Sequence, residues 1–235
     1  MAIAASLLIA SGLATAATSF TTASISPTAN KLILLAVGSA NVASNNAPTV
    51  TGAGMTWTQV ATSIDSATRR RVTLFRALSA SPGSGALTID FAGTTHNNCQ
   101  WSVIEFSGID TGGTNGANAI VQSVTNTSTG GTSATVTLAA FGAAGNATFG
   151  ALRQANGTGI SPGSGFAELH ETVFTGTLES EFRNDNDTSV DWTWSGSSIW
   201  NALAVEIKAG TTPPTAVAGA PFNASFQAPM RGAFG

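Results

Sequence analysis

The sequence predicts an all-β protein, and three observations carry that prediction. Short β-branched or apolar runs alternate with Gly, Asn, Ser and Pro. No stretch of helical length holds an apolar period of 3.6 residues, and turn signals recur at the spacing of a sandwich or barrel. At 235 residues the chain can bury an ample core as one large domain. The expected architecture is a jelly-roll-like antiparallel β-sandwich of about ten strands. It spans 1–210 and is followed by an extended Pro/Gly-rich arm, 211–235.

The opening "MAIAASLLIASGLATAA" has the apolar run and the small-residue "ATA" of a signal peptide, but no basic residue precedes Lys31. A first strand is therefore expected there, not a cleaved leader. Strands are then expected at 19–25, 31–39, 56–62, 71–78, 86–92 and 101–108 in the first half. In the second half they fall at 133–141, 147–154, 167–175, 189–196 and 201–209.

The two halves echo each other. "TTASISPTANKLILLAV" (21–37) and "SATVTLAAFGAAGNATFGAL" (133–152) both read as strand, turn, Asn and apolar strand. "WSVIEFSG" (101–108) and "NALAVEIKAG" (201–210) each hold a Glu between apolar neighbours, Glu105 and Glu206. "SPGSG" occurs at 81–85 and 161–165 but breaks that offset, so it reads as one turn used twice. After Gly210, "TTPP" imposes extended backbone and removes hydrogen-bond donors. An arm of this composition cannot form its own core. Pro213, Pro214, Phe222, Phe226, Met230 and Phe234 are the expected anchors by which it docks on a partner or on its own sandwich.

Composition excludes several classes. Charged residues are 9% of the chain and the net charge is −3, so nothing marks a nucleic-acid or anionic-membrane surface. A single cysteine, Cys99, excludes an intrachain disulfide and a cysteine-built zinc site. No apolar run approaches the roughly 20 residues of a transmembrane helix.

"GISPG" (159–163) fits the nucleophile-elbow spacing around Ser161, but no helix follows, and only His96 and His170 could serve as bases. "HNNC" sets His96 near Cys99 without a basic neighbour to form a thiolate, so a loop and a core cysteine are expected. His170 alternates onto a solvated strand face. Asp185, Asp187 and Asp191 in "NDNDTSVD" offer hard oxygen ligands for calcium. They lack the glycine and terminal glutamate of an EF-hand loop, and a plain Asx turn is favoured. Trp192 and Trp194 share a strand face with Val190, which reads as sandwich core before it reads as a glycan platform. Alternation splits Arg69, Arg70 and Arg71 between two faces, where they cap a sheet edge or meet an acidic partner. No cofactor and no enzymatic activity are expected.

The series "GMTWTQVAT", "RRRVTLFRALSASPGSGALTIDF" and "WSVIEFSGID" resembles a group of β-rich proteins of tailed phages and bacterial prophages. These are virion components such as head decoration, fibre or tail proteins. The resemblance runs from about Ser19 to Gly210 and is clearest at 54–110. It implies a non-enzymatic sandwich on a virus particle and transfers no catalytic residue. The expected function is a capsid decoration or cement protein, assembled in the host cytoplasm and located on the virion. Its expected partners are copies of itself, in a homo-oligomer for which a trimer is the suggested form, and the major capsid or other virion proteins. A tail or fibre adhesion module binding host glycan is the alternative, and a secreted hydrolase is a third.

Overall fold

The run "KLILLAVGS" becomes a strand, Leu32–Ala40, that is buried on both faces, and this sets the architecture. In the computed structural model the described residues are 2–41, 46–65, 67 and 69–211. Leu32, Leu34 and Ala36 point into one apolar cluster, while Ile33, Leu35 and Val37 point into another. A strand that packs on both sides loses the polar alternation of a half-exposed one. The sheet holding it must therefore be sandwiched between two others.

Sixteen strands are found among the described residues. The first half contains β1 (Ala4–Leu13), β2 (Ser19–Thr21), β3 (Leu32–Ala40), β4 (Thr49–Gly52), β5 (Thr58–Asp65), β6 (Arg70–Ala77), β7 (Leu87–Asp90) and β8 (Asn98–Ser107). The second contains β9 (Ile120–Ser128), β10 (Ser133–Thr137), β11 (Ala147–Gln154), β12 (Ile160–Pro162), β13 (Ala167–Val173), β14 (Thr177–Arg183), β15 (Ser189–Trp194) and β16 (Trp200–Ile207). The opening apolar run forms β1, as the missing basic residues predict.

The first half builds a five-stranded sheet in the order β1-β8-β3-β6-β5 and a three-stranded sheet β2-β7-β4. The second builds β9-β16-β11-β14-β13 and β10-β15-β12. Adding eight to every label of the first half gives the second, so the chain is an internal duplication. The echo in the sequence falls on matched elements: Glu105 of β8 stands opposite Ile33 of β3, and Glu206 of β16 opposite Thr148 of β11. Each glutamate also holds the loop entering that neighbouring strand. Glu105 accepts from the Thr28 amide at 2.6 Å, and Glu206 accepts from Asn146 Nδ2 at 2.5 Å. The two "SPGSG" segments occupy unmatched positions, one between β6 and β7 and the other running from β12 toward β13.

The two five-stranded sheets pack face to face. Leu34, Leu74, Ile104 and Phe106 meet Phe149, Phe182, Leu203 and Val205, with the Phe106 and Phe149 rings edge-on at 5.8 Å. Each small sheet then covers the outer face of its own large one. Phe20, Leu87 and Ile89 close one side, and Val136, Val190 and Trp192 the other. The result is four β layers. Where two sheets of about ten strands are expected, the described residues form sixteen strands in four sheets: the strands expected at 19–25, 86–92, 133–141 and 189–196 fall in the outer sheets, and β9 and β14 of the central pair are unexpected.

The halves join through residues 108–119, and both end at the same place. Gly210 N donates to Gly108 O at 2.8 Å, and Ala209 bridges to Ile109. The arm anchors Pro213, Pro214, Phe222, Phe226, Met230 and Phe234 lie outside the described residues. Among the described residues, no helix is long and apolar enough to cross a membrane.

Candidate functional site

Three of the nine Lys and Arg residues converge at one end of the central interface. The end of β11 delivers Arg153. The start of β6 delivers Arg70, with Arg69 just before it in the left-handed region at φ 54°. Asn97 and Asn98, at the entry to β8, complete the wall of a pocket of about 510 Å³. That volume lies within the range of small-molecule sites. Asn97 stands exposed at the rim, while Asn98 and Arg153 form a buried floor. No acidic side chain lines the pocket among the described residues.

The duplication explains how an arginine fits inside the stack. Arg153 stands opposite Asn201 in its sheet, and Gly38 stands opposite Gln100 in the other, which are matched positions. A Cβ placed on Gly38 would lie 3.0 Å from Arg153 Cδ. The first half thus carries no side chain where the second carries its longest cation, and the gap seats the arginine stem.

Arg153 is 1% exposed. Its Nη2 donates to Asn98 Oδ1 at 3.0 Å, and Asn98 Nδ2 donates to Thr175 Oγ1 at 3.0 Å. Its Nε and Nη1 find no acceptor among the described residues. Burial, then the nearby charge of Arg70, lowers its pKa to about 9, so it is still cationic at neutral pH. A buried charge without a counter-charge is costly, and natural folds pair such groups. The arrangement can do one thing chemically: present hydrogen-bond donors and positive charge to an anion.

The other candidate residues are accounted for by packing. His96 is buried and stacks on Phe91 at 3.6 Å. Burial, then the charges of Arg71 and Arg153, lowers its pKa to about 4 and keeps it neutral at pH 7. Burial pushes the Cys99 thiol up, which makes it inert, as expected for a core cysteine. Ser161 is exposed on the edge strand β12, and no hydrogen bond joins it to either histidine among the described residues. His170 instead shares a 3.0 Å contact with Thr172 Oγ1. Arg71 is split from Arg70 by alternation, as its position predicts, and donates to Thr62 Oγ1 at 3.1 Å.

Asp185 and Asp187 hold Arg183 at 2.5 and 2.7 Å, and Asp187 also accepts from the Ser189 amide. Asp191 accepts from Thr135 Oγ1 and Ser189 Oγ. Among the described residues no group of three His, Cys, Asp or Glu could hold a metal ion. Trp192, Trp194 and Trp200 are buried in the second outer interface, where Trp192 Nε1 donates to Glu179 Oε2 at 2.5 Å. The indoles are core, and the carbohydrate platform is absent from that face.

Beneath Trp192 lie two buried acids. Burial, then the charge of Glu181, pushes the Glu179 carboxyl well above its usual range. Burial pushes Glu181 up to about 8, although the Gly163 amide donates to it at 2.9 Å. Raised carboxyl values often mark catalytic acids. Here both side chains are fully enclosed, with no access for a substrate.

Neither Arg153 nor the buried acids stood out in the sequence. One signal was available: an arginine inside the otherwise apolar strand "ATFGALRQ". No family model, curated protein or solved structure matches this chain.

Proposed function

We propose that the chain is a non-enzymatic structural protein of a tailed-phage virion, acting as a capsid decoration or cement protein. The observation that carries this reading is a pair of open sheet edges with apolar side chains left uncovered. Leu7 and Leu13 on β1, with Val173 of β13 and the adjoining Phe174, are exposed. The two edges adjoin, since a Cβ on Gly12 would lie 2.6 Å from the Phe174 ring. Open edges with apolar residues favour further protein contact. Contacts that exist only on the assembled shell stabilise that shell by mass action.

Each half supports a jelly-roll reading. Its first, eighth, third and sixth strands adjoin in one sheet, and its second, seventh and fourth in the other. A jelly-roll wrapping would give that order if its fifth strand moved across to pair with the sixth. Self-association, as a trimer, through the 211–235 arm belongs to the same proposal.

Co-sedimentation of the full chain with purified capsids tests the role. Decoration requires saturable binding, weakened when Leu13 and Phe174 are both changed to Asp. Absence of binding to shells overturns it.

A further inference from the structure

We propose that the Arg153 pocket is a binding site for a small oxyanion, a phosphate or carboxylate group carried on a small molecule. The inference is independent of the virion role, because it rests on the pocket alone.

Three observations converge on it. First, Arg153 is 1% exposed, lines the pocket, and leaves Nε and Nη1 without an acceptor among the described residues. A buried donor left unmade costs more than an ordinary hydrogen bond contributes, so the site is incomplete as the chain alone builds it. Second, every charged residue of the lining carries the same sign. Arg69, Arg70, Asn97 and Asn98 surround Arg153, and no lining residue is acidic. Asp65 stands opposite Arg70 in the β5–β6 register but does not line the pocket. Third, the floor is pre-positioned. Asn98 is fixed between Arg153 and Thr175, and Gly38 leaves space for the arginine stem, so binding need not order them.

The guanidinium fork matches the geometry of both phosphate and carboxylate, and the burial of its donors strengthens such a pair. The volume of about 510 Å³ exceeds what a bare ion fills, which leaves room for the body that carries the oxyanion. The Asn side chains supply neutral donors that can select among such bodies.

The test is thermal unfolding of the full chain at pH 7, titrated with inorganic phosphate or with citrate at ionic strength matched by chloride. Wild type is expected to show a saturable rise in Tm, roughly 3–6 °C at tenfold excess over Kd. A larger response to phosphate assigns the phosphoryl source, and a larger response to citrate assigns the carboxylate source. Arg153→Met is expected to abolish the response, and Arg70→Gln, at the partly exposed wall, to raise Kd by about tenfold or more. No saturable response to either anion, or an equal response in Arg153→Met, overturns the proposal. If Arg153→Met does not fold, Arg70→Gln decides: an unchanged Kd overturns it.

Discussion

Arg153 on β11 donates to Asn98 on β8 at 3.0 Å, a bond that ties the second half of the duplication to the first. The contact crosses the face at which the two large sheets meet, and it marks where the halves stop being alike. Gly38 occupies the matched position in the first half and contributes no side chain. A symmetrical interface would have placed two arginines, or none, at this point. The asymmetry creates both the pocket and its charge.

That charge has a measurable cost in the unliganded protein. Replacing a buried ion by an apolar side chain of similar volume is often stabilising by roughly 1–4 kcal/mol. Arg153→Met is therefore expected to raise the urea midpoint in anion-free buffer. A lower midpoint would mean that the Asn98 bond contributes more than the burial of charge costs.

Trp192 provides the opposite case. It is fully buried, and its Nε1 holds Glu179. Trp192→Ala removes one of the three indoles of the second outer interface and leaves that carboxyl group without its donor. The expected loss is about 3–5 kcal/mol in urea denaturation. A fully stable variant with altered glycan binding would place the indole at the surface and contradict its packing.

Gly150 exists because of the same indole. A Cβ there would lie 2.5 Å from Val190 Cγ1 and 2.6 Å from the Trp192 ring. Gly150→Ala should cost about 1–3 kcal/mol through overpacking. Alanine also restricts the unfolded chain, a gain of roughly 0.4–1 kcal/mol that offsets only part of this cost, so a stabilised variant would show that the outer sheet can shift away.

The buried acids set a pH dependence. The folded value of Glu181, about 8, lies above its ordinary 4.5, and that of Glu179 is raised in the same direction. The folded state therefore favours the protonated form. The contribution is full below pH 4.5 and is lost as pH rises through about 8. Glu181→Gln, which keeps an acceptor for Gly163, should match wild type near pH 5 and exceed it at pH 9. The expected gap is on the order of a few kcal/mol. Parallel curves at the two pH values would contradict the assignment.

Much of this architecture was legible in residue order. The apolar run at 31–39 announced β3, though not its burial on both faces, and the echo around Glu105 and Glu206 falls on matched strands of the two halves. Other strands were hidden for physical reasons. β14 reads "TLESEFR", polar and charged, because its glutamates are buried in protonated or hydrogen-bonded form. β4 and β12 span only four and three residues, too short to show alternation. β9 is polar because it is an edge strand, exposed along much of its length. The pocket was illegible for another reason. Arg153 lies more than 80 residues from Arg70, and only the packing of one half on the other brings them together.

The arm is open to a direct test. If residues 211–235 clamp copies together, light scattering should give a defined oligomer for the full chain and a folded monomer for a chain ending at Gly210. Identical folded monomers would remove the arm from self-assembly and leave only the sheet edges for contact with a shell.

The central claim is that this protein belongs to a particle. Quantitative mass spectrometry of particles purified from a host culture that carries this sequence tests that claim most directly. The account predicts the chain at a fixed copy ratio to the major capsid protein through successive density gradients. Its absence from purified particles, while present in the infected-cell lysate, would contradict a virion role.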